Sequence, residues 1–430
     1  MRRHSRGRAG GLAVAGLVAG AVAGLPAAHA HARDDAVKVP CSAAKLSAAI
    51  RTANASAGAD TLRLAPKCTY RLTAPDAGHP ANGLPEITGE ITIDGRGATI
   101  TRVKTAPRFR ILAVPATGKL TLNHTTVSGG DATDCPVFGE GVCGGAIAAI
   151  GALSLDHVGV MDNTARSDAF AEGGGVHASG PTVVNQSEFS HNTVVYAGTE
   201  PGSAVGGGIL NMGPLTMTRT KLVRNSVSTA PGTGSFAFGA GIVAFAQATI
   251  RDGTISGNTA SAPGGFARAA LAAAAPAPQN VKVTGTVVHG NLSSAPDGNA
   301  AGGGVAANFP LAMADVTISD NTSSAPRGTA LAGGLQVGPS GDVDIRNSTV
   351  RGNKVTAEAG TAQGGGIATA GALRAAGVKI TRNAATARNG TAEGGGIFKV
   401  SGTIAQDDTE VKANTPNNCR PVGAVPGCGD

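Results

Sequence analysis

Along much of this chain apolar and polar residues alternate with the two-residue period of a strand, as in Val316-Thr317-Ile318 and Val378-Lys379-Ile380. The alternation is gathered into a longer beat. An apolar residue followed three positions later by Asn recurs nine times, ending at Asn163, Asn192, Asn225, Asn258, Asn291, Asn321, Asn353, Asn383 and Asn414. The intervals are 29, 33, 33, 33, 30, 32, 30 and 31 residues. A glycine run followed by an apolar residue keeps the same phase, from Gly144-Gly145-Ala146-Ile147 to Gly394-Gly395-Gly396-Ile397. One beat lacks its glycines, where Arg268-Ala269-Ala270-Leu271 stands.

A period of about 31 residues fits helix pairs, leucine-rich horseshoes, propeller blades or a β-solenoid. Glycine triplets and β-branched runs in each unit disfavour helices. Propeller blades need longer units, and a horseshoe needs several leucines per unit. Short strands with Gly or Asn corners, one coil per repeat, remain. They make an all-β parallel solenoid of about ten coils stacked at ~4.8 Å, roughly 50 Å tall. In this reading Asn tolerates a left-handed corner, and its inward amide bonds to the copies above and below.

The Gly-Gly-Gly-Ile and Phe189-Ser190-His191-Asn192 pattern resembles the repeats of chlamydial polymorphic membrane proteins. The wider resemblance is to secreted right-handed parallel β-helix proteins of the pectate-lyase-like superfamily. Leu46, Ile50, Ala53-Asn54, Gly58-Ala59-Asp60-Thr61-Leu62 and Tyr70 are similar to the opening segment of such proteins. The resemblance implies a right-handed parallel β-helix. It does not imply autotransport, because no C-terminal membrane barrel follows.

Residues 1–32 read as an export signal: Arg2, Arg3, Arg6 and Arg8, an apolar run from Gly10 to Leu25, and Ala-His-Ala sites. Both general and twin-arginine export fit, and no second apolar run predicts a membrane span. Residues 33–86 form an N-terminal cap, with Ser42 capping a helix that carries Leu46, Ala49, Ile50 and Ala53 on one face. The solenoid is expected over 87–415 and a pinned tail over 416–430. Six cysteines in an exported chain predict three disulfides, and spacing favours Cys41 with Cys68, Cys135 with Cys143, and Cys419 with Cys428.

Composition then limits the chemistry. With 65 Gly, no Trp, 2 Tyr and 10 Phe, few aromatics are left for a sugar-binding cleft. Signal removal takes the 35 basic residues to 31 against 28 acidic ones, leaving a formal +3. That charge is too dispersed for nucleic acid. No cofactor or metal is expected: the cysteines lack zinc-ligand spacing, and Asp252 and Asp315 lie two coils apart. Asp342 and Asp344 share one strand face, and His124 is expected to stack over His157.

One position before the Asn, consecutive coils carry Asp162, His191 and Arg224, with Tyr196 nearby. A carboxylate, an imidazole and a guanidinium within about 10 Å have the makings of acid-base or lyase chemistry. Four phenylalanines, Phe236, Phe238, Phe245 and Phe266, gather near the missing beat, where Pro263-Gly264-Gly265 and Leu271 to Pro278 interrupt the pattern and a bulged loop is expected. The leading expectation is a secreted or cell-surface-associated protein with a structural, adhesion or polymer-binding role, its partner an extracellular polysaccharide or cell-wall polymer. The alternative is a polysaccharide lyase or glycoside hydrolase working through Asp162, His191, Arg224 and Tyr196.

Overall fold

The alternation along each repeat is resolved into five short parallel strands per coil. A computed structural model describes residues 36–133, 142–232, 234–278 and 280–429, so the expected export signal and the Cys135–Cys143 pair lie outside the described residues. One coil runs through Thr182–Asn185, Glu188–Ser190, Thr193–Tyr196, Ser203–Val205 and Ile209–Asn211. The next coil stacks on it in register, pairing Leu215 with Thr182, Lys221 with Glu188, Ser226 with Thr193, Phe236 with Ser203 and Ile242 with Ile209. Repetition builds parallel sheets of 23, 9, 9 and 11 strands, the largest holding the first two strands of each coil. The chain is a parallel β-solenoid of about eleven turns.

Each coil encloses two cores of different width. The first, second and fifth strands turn Leu, Ile and Val inward, including the apolar residue three before each ladder Asn, such as Phe189, Leu222 and Ile255. The third and fourth strands enclose a narrower core lined mostly by alanine, with Val194, Val227 and Val355 among the larger members. Between the two cores the coil is pinched. On one side of this waist stands the Asn ladder, and on the other the glycine run: a Cβ on Gly175 would lie 3.1 Å from Cγ of Asn192. The same apposition repeats at Gly208 with Asn225 and Gly366 with Asn383. The two sequence markers keep phase because they are the two sides of one contact.

The ladder leaves no amide group idle. Asn258 Nδ2 donates to Asn291 Oδ1 at 2.9 Å and to the Leu222 carbonyl at 2.9 Å. Its own Oδ1 accepts from the Asn225 backbone N–H at 2.9 Å and from Asn225 Nδ2 at 3.0 Å. This pattern runs from Asn163 to Asn414, and Asn418, outside the repeat, closes the final rung by accepting from Asn414 Nδ2 at 3.1 Å.

The ladder Asn is not, however, the left-handed corner residue. That conformation belongs to the residue before it, with φ of 58° at Asp162, 55° at His191 and 54° at Arg224. A second left-handed column contains His124, His157, Gln186, Arg219 and Asp252, and the first residue of the glycine run forms a third. At the missing beat Ala269 takes this place with φ of 50°, as Ala332 does with φ of 49°. Across the missing beat itself the register holds, with Phe266 paired to Asn299 and Leu271 to Val305. The extra residues form a longer loop between Ala273 and Val281, overlapping the expected Leu271 to Pro278 stretch.

The helix Ala43–Asn54 covers the N-terminal end with Leu46, Ile50 and Ala53 buried. Ser42 occupies the N-cap in extended backbone, but its hydroxyl makes no capping bond. The wall also begins before Ile87, because Val37–Val39 and Ala59–Leu64 already pair into the largest sheet. Disulfides join Cys41 to Cys68 and Cys419 to Cys428, and the strand Cys419–Arg420 pairs with Ile397 and Phe398 to hold the tail on the last coil.

Replacing Asn258 with Ala strands two donors of Asn225 and two acceptors in a site with no exposure. A loss of about 3 kcal/mol or more is expected in chemical denaturation, and a smaller one for the half-capped Asn414→Ala. Ala269→Gly and Ala332→Gly relieve a left-handed alanine and are expected to raise the unfolding midpoint, by up to about 1 kcal/mol. A lowered midpoint would count against that account of the corner.

Candidate functional site

The residues nominated from the repeat do not assemble. Asp162, His191 and Arg224 are exposed on successive coils, and no hydrogen bond or ion pair joins them. Their shared column reflects the left-handed corner. Tyr196 is buried at 2% exposure, its hydroxyl donating to the Glu200 carbonyl, in the alanine-lined core. His124 and His157 do stack, with ring centroids 4.7 Å apart and planes 10° apart, and His157 Nδ1 lies 3.0 Å from Asp156. Asp342 pairs with Arg374 and Asp344 with Arg346, so neither carboxylate is free for a metal. Among the described residues no group of three or more His, Cys, Asp or Glu is placed to hold an ion.

A different feature emerges outside the pinched corner. The middle residue of each fifth strand alternates with two inward residues and so faces out, yet it is buried: His177, Leu210, Val243 and Ala272 are 4% exposed or less. The last residue of the fourth strand shelters it on one side. The first residue after the fifth strand shelters it on the other, held by its N–H on the carbonyl ending the fifth strand of the previous coil, as Ser179 is on Ala149. The glycine corner lies directly beneath, since a Cβ on Gly239 would sit 1.9 Å from Val243 Cγ2. A groove therefore runs along the stack, one rung per coil.

Its rungs differ in chemistry. Glu172, His177 and Ser179 form one rung, with Glu172 Oε2 3.4 Å from His177 Nδ1 and His177 Nε2 3.2 Å from Ser179 Oγ. Burial pulls the His177 imidazole down, and repulsion from the Arg110 guanidinium adds to this, to about 4. Burial pushes the Glu172 carboxyl up. The next two rungs are apolar, with Val205, Leu210 and Val243 packed against Phe238 and Phe245. Beyond them Phe236, Phe238, Phe266, Arg268 and Asn308 line a hollow of about 290 Å³.

In that hollow the Arg268 guanidinium lies 4.8 Å from the centre of the Phe266 ring. Its Nε is buried without a hydrogen-bond partner, and no acidic side chain among the described residues pairs with it. Phe236 is 52% exposed and 6.2 Å from Phe266, so part of the small aromatic complement stands where a ligand can reach it. A larger hollow of about 720 Å³ at the C-terminal end is lined by polar residues including Lys379, Gln406, Asp408 and Glu410. It has no aromatic face.

No family model matches the chain, and neither a curated protein nor a solved structure matches it. Sequence reasoning passed over Glu172, His177 and Ser179, although one signal was there: His177 is the one ionisable residue in its column between Ala113 and Phe398.

The unfolded His177 takes up its proton near 6.5 and the folded one near 4, so between these values only the unfolded chain gains that proton. Stability should thus fall as pH drops through this window and level off below it, the His177 share being on the order of 3 kcal/mol. Denaturation of wild type and His177→Gln at pH 7 and pH 4.5 measures that share as the difference between their pH dependences. Equal dependences would show that the ring titrates normally.

Proposed function

We propose that this is an exported solenoid that binds an acidic extracellular polysaccharide along its groove. The observation that carries the reading is the hollow at Arg268: a cation without an acidic partner among the described residues, beside three phenylalanine rings and the Asn308 amide. Ring faces take the C–H face of a sugar, a guanidinium takes a carboxylate in bidentate fashion, and an amide serves hydroxyls. A chain of sugars is also the right shape, because the groove repeats at ~4.8 Å per coil and is long rather than deep.

Export and a cell-surface setting are supported by the N-terminal residues 1–32 and by the two disulfides. Among the described residues no helix is long and apolar enough to cross a membrane. The resemblance of the repeats to secreted right-handed β-helix proteins of the pectate-lyase-like superfamily agrees with a carbohydrate partner. It supports no catalytic role for Asp162, His191, Arg224 or Tyr196, which are not brought together.

Affinity electrophoresis and calorimetry against polygalacturonate, alginate and neutral glucans provide the test. Uronate polymers should be retained and neutral ones not. Arg268→Ala should weaken binding about tenfold or more, the loss of one charge-assisted contact, and Phe266→Ala should weaken it as well. Equal retention of neutral polymers, or binding unaltered in both variants, would overturn the proposal.

A further inference from the structure

We propose that Ser179, His177 and Glu172 act as nucleophile, base and orienting carboxylate in the hydrolysis of short acyl esters. The order of contacts is the one such a relay requires. The carboxylate stands 3.4 Å from Nδ1, near it but not hydrogen-bonded to it in this resting arrangement, and Nε2 faces the hydroxyl at 3.2 Å. Three separate positions of the coil supply the set: the end of the fourth strand, the middle of the fifth, and the residue just after it. The imidazole is 2% exposed and held between its neighbours, whereas Ser179 stands at the rim and is partly open to solvent.

The surroundings suit an acyl group. The adjacent rung replaces the three polar residues with Val205, Leu210 and Met212, and Met212 is 50% exposed at the same rim position as Ser179. A small apolar acyl chain can lie on this shelf with its carbonyl carbon over Ser179 Oγ. No other rung of the groove carries a carboxylate, an imidazole and a hydroxyl together.

The chemistry closes with water as the co-reactant. Ser179 Oγ attacks the ester carbonyl while its proton passes to His177 Nε2. The bond to the alcohol oxygen breaks, and Nε2 returns the proton to that oxygen. Water then attacks the acyl-serine, giving a proton to Nε2, and the acid leaves as Ser179 regains its hydroxyl proton. Naming the substrate as an O-acylated polysaccharide rests on the binding reading above; the hydrolysis itself does not.

Two arms separate the two ideas. The purified protein is incubated with p-nitrophenyl acetate and with a fluorophosphonate, and the labelled residue is located by mass spectrometry. Turnover is expected, with label on Ser179. Ser179→Ala should lose the label and about 100-fold of the rate, and Glu172→Gln about tenfold or more, with unfolding midpoints unchanged. A folded protein without turnover or label, label at another residue, or full activity in Ser179→Ala overturns the relay. In the second arm acetate release from acetylated glucuronoxylan is measured. Turnover of the small ester without acetate release overturns the polysaccharide substrate while leaving the relay in place.

Discussion

The structure depends on one contact, the Asn amide lying against a glycine, or in two coils an alanine, across the waist. An amide buried at this depth is tolerable only if all its donors and acceptors are used, and here each rung uses them on the rungs before and after. The facing residue must be small, because a Cβ on Gly304 would stand 2.9 Å from Asn321 Nδ2. Register places Ala146 and Ala270 there in two coils and glycine in the others. Stability passes from coil to coil as in other repeat proteins, through nearest neighbours, with the ladder as the continuous thread.

The pinch that brings Asn and Gly together also shapes the outside. Where the wall folds inward at the glycine corner, the surface becomes concave, and outward-facing residues of the fifth strands are sheltered without belonging to the core. This gives the molecule a long groove at no cost to either interior. Polar and charged groups can be introduced there one rung at a time, which is how a buried His177 and a half-buried Arg268 coexist with an otherwise apolar strip. The exposed corner columns lack this shelter. Their side chains diverge into solvent, so Asp162, His191 and Arg224 share a column without sharing a site.

Much of the fold is legible in the sequence because the solenoid is nearly one-dimensional. Fixing the phase of the Asn and Gly markers fixes which residues stack, so the ladder, the His124–His157 stack and both described disulfides follow from spacing alone. Assigning the left-handed corner to Asn treated residue preference as decisive where packing was. Ala269 accepts φ of 50° because the coils on either side hold its backbone in register.

By itself the sequence determined the repeat length, the inward and outward alternation and the column to which each residue belongs, since these depend only on distance along the chain. The tertiary structure decided which columns converge. Glu172, His177 and Ser179 are separated by the glycine corner and the fifth strand, and no periodicity shows that this corner turns concave. That follows from the waist contact, where an amide and a glycine or alanine let two backbones approach. The same approach brings the outer faces of the fourth and fifth strands together.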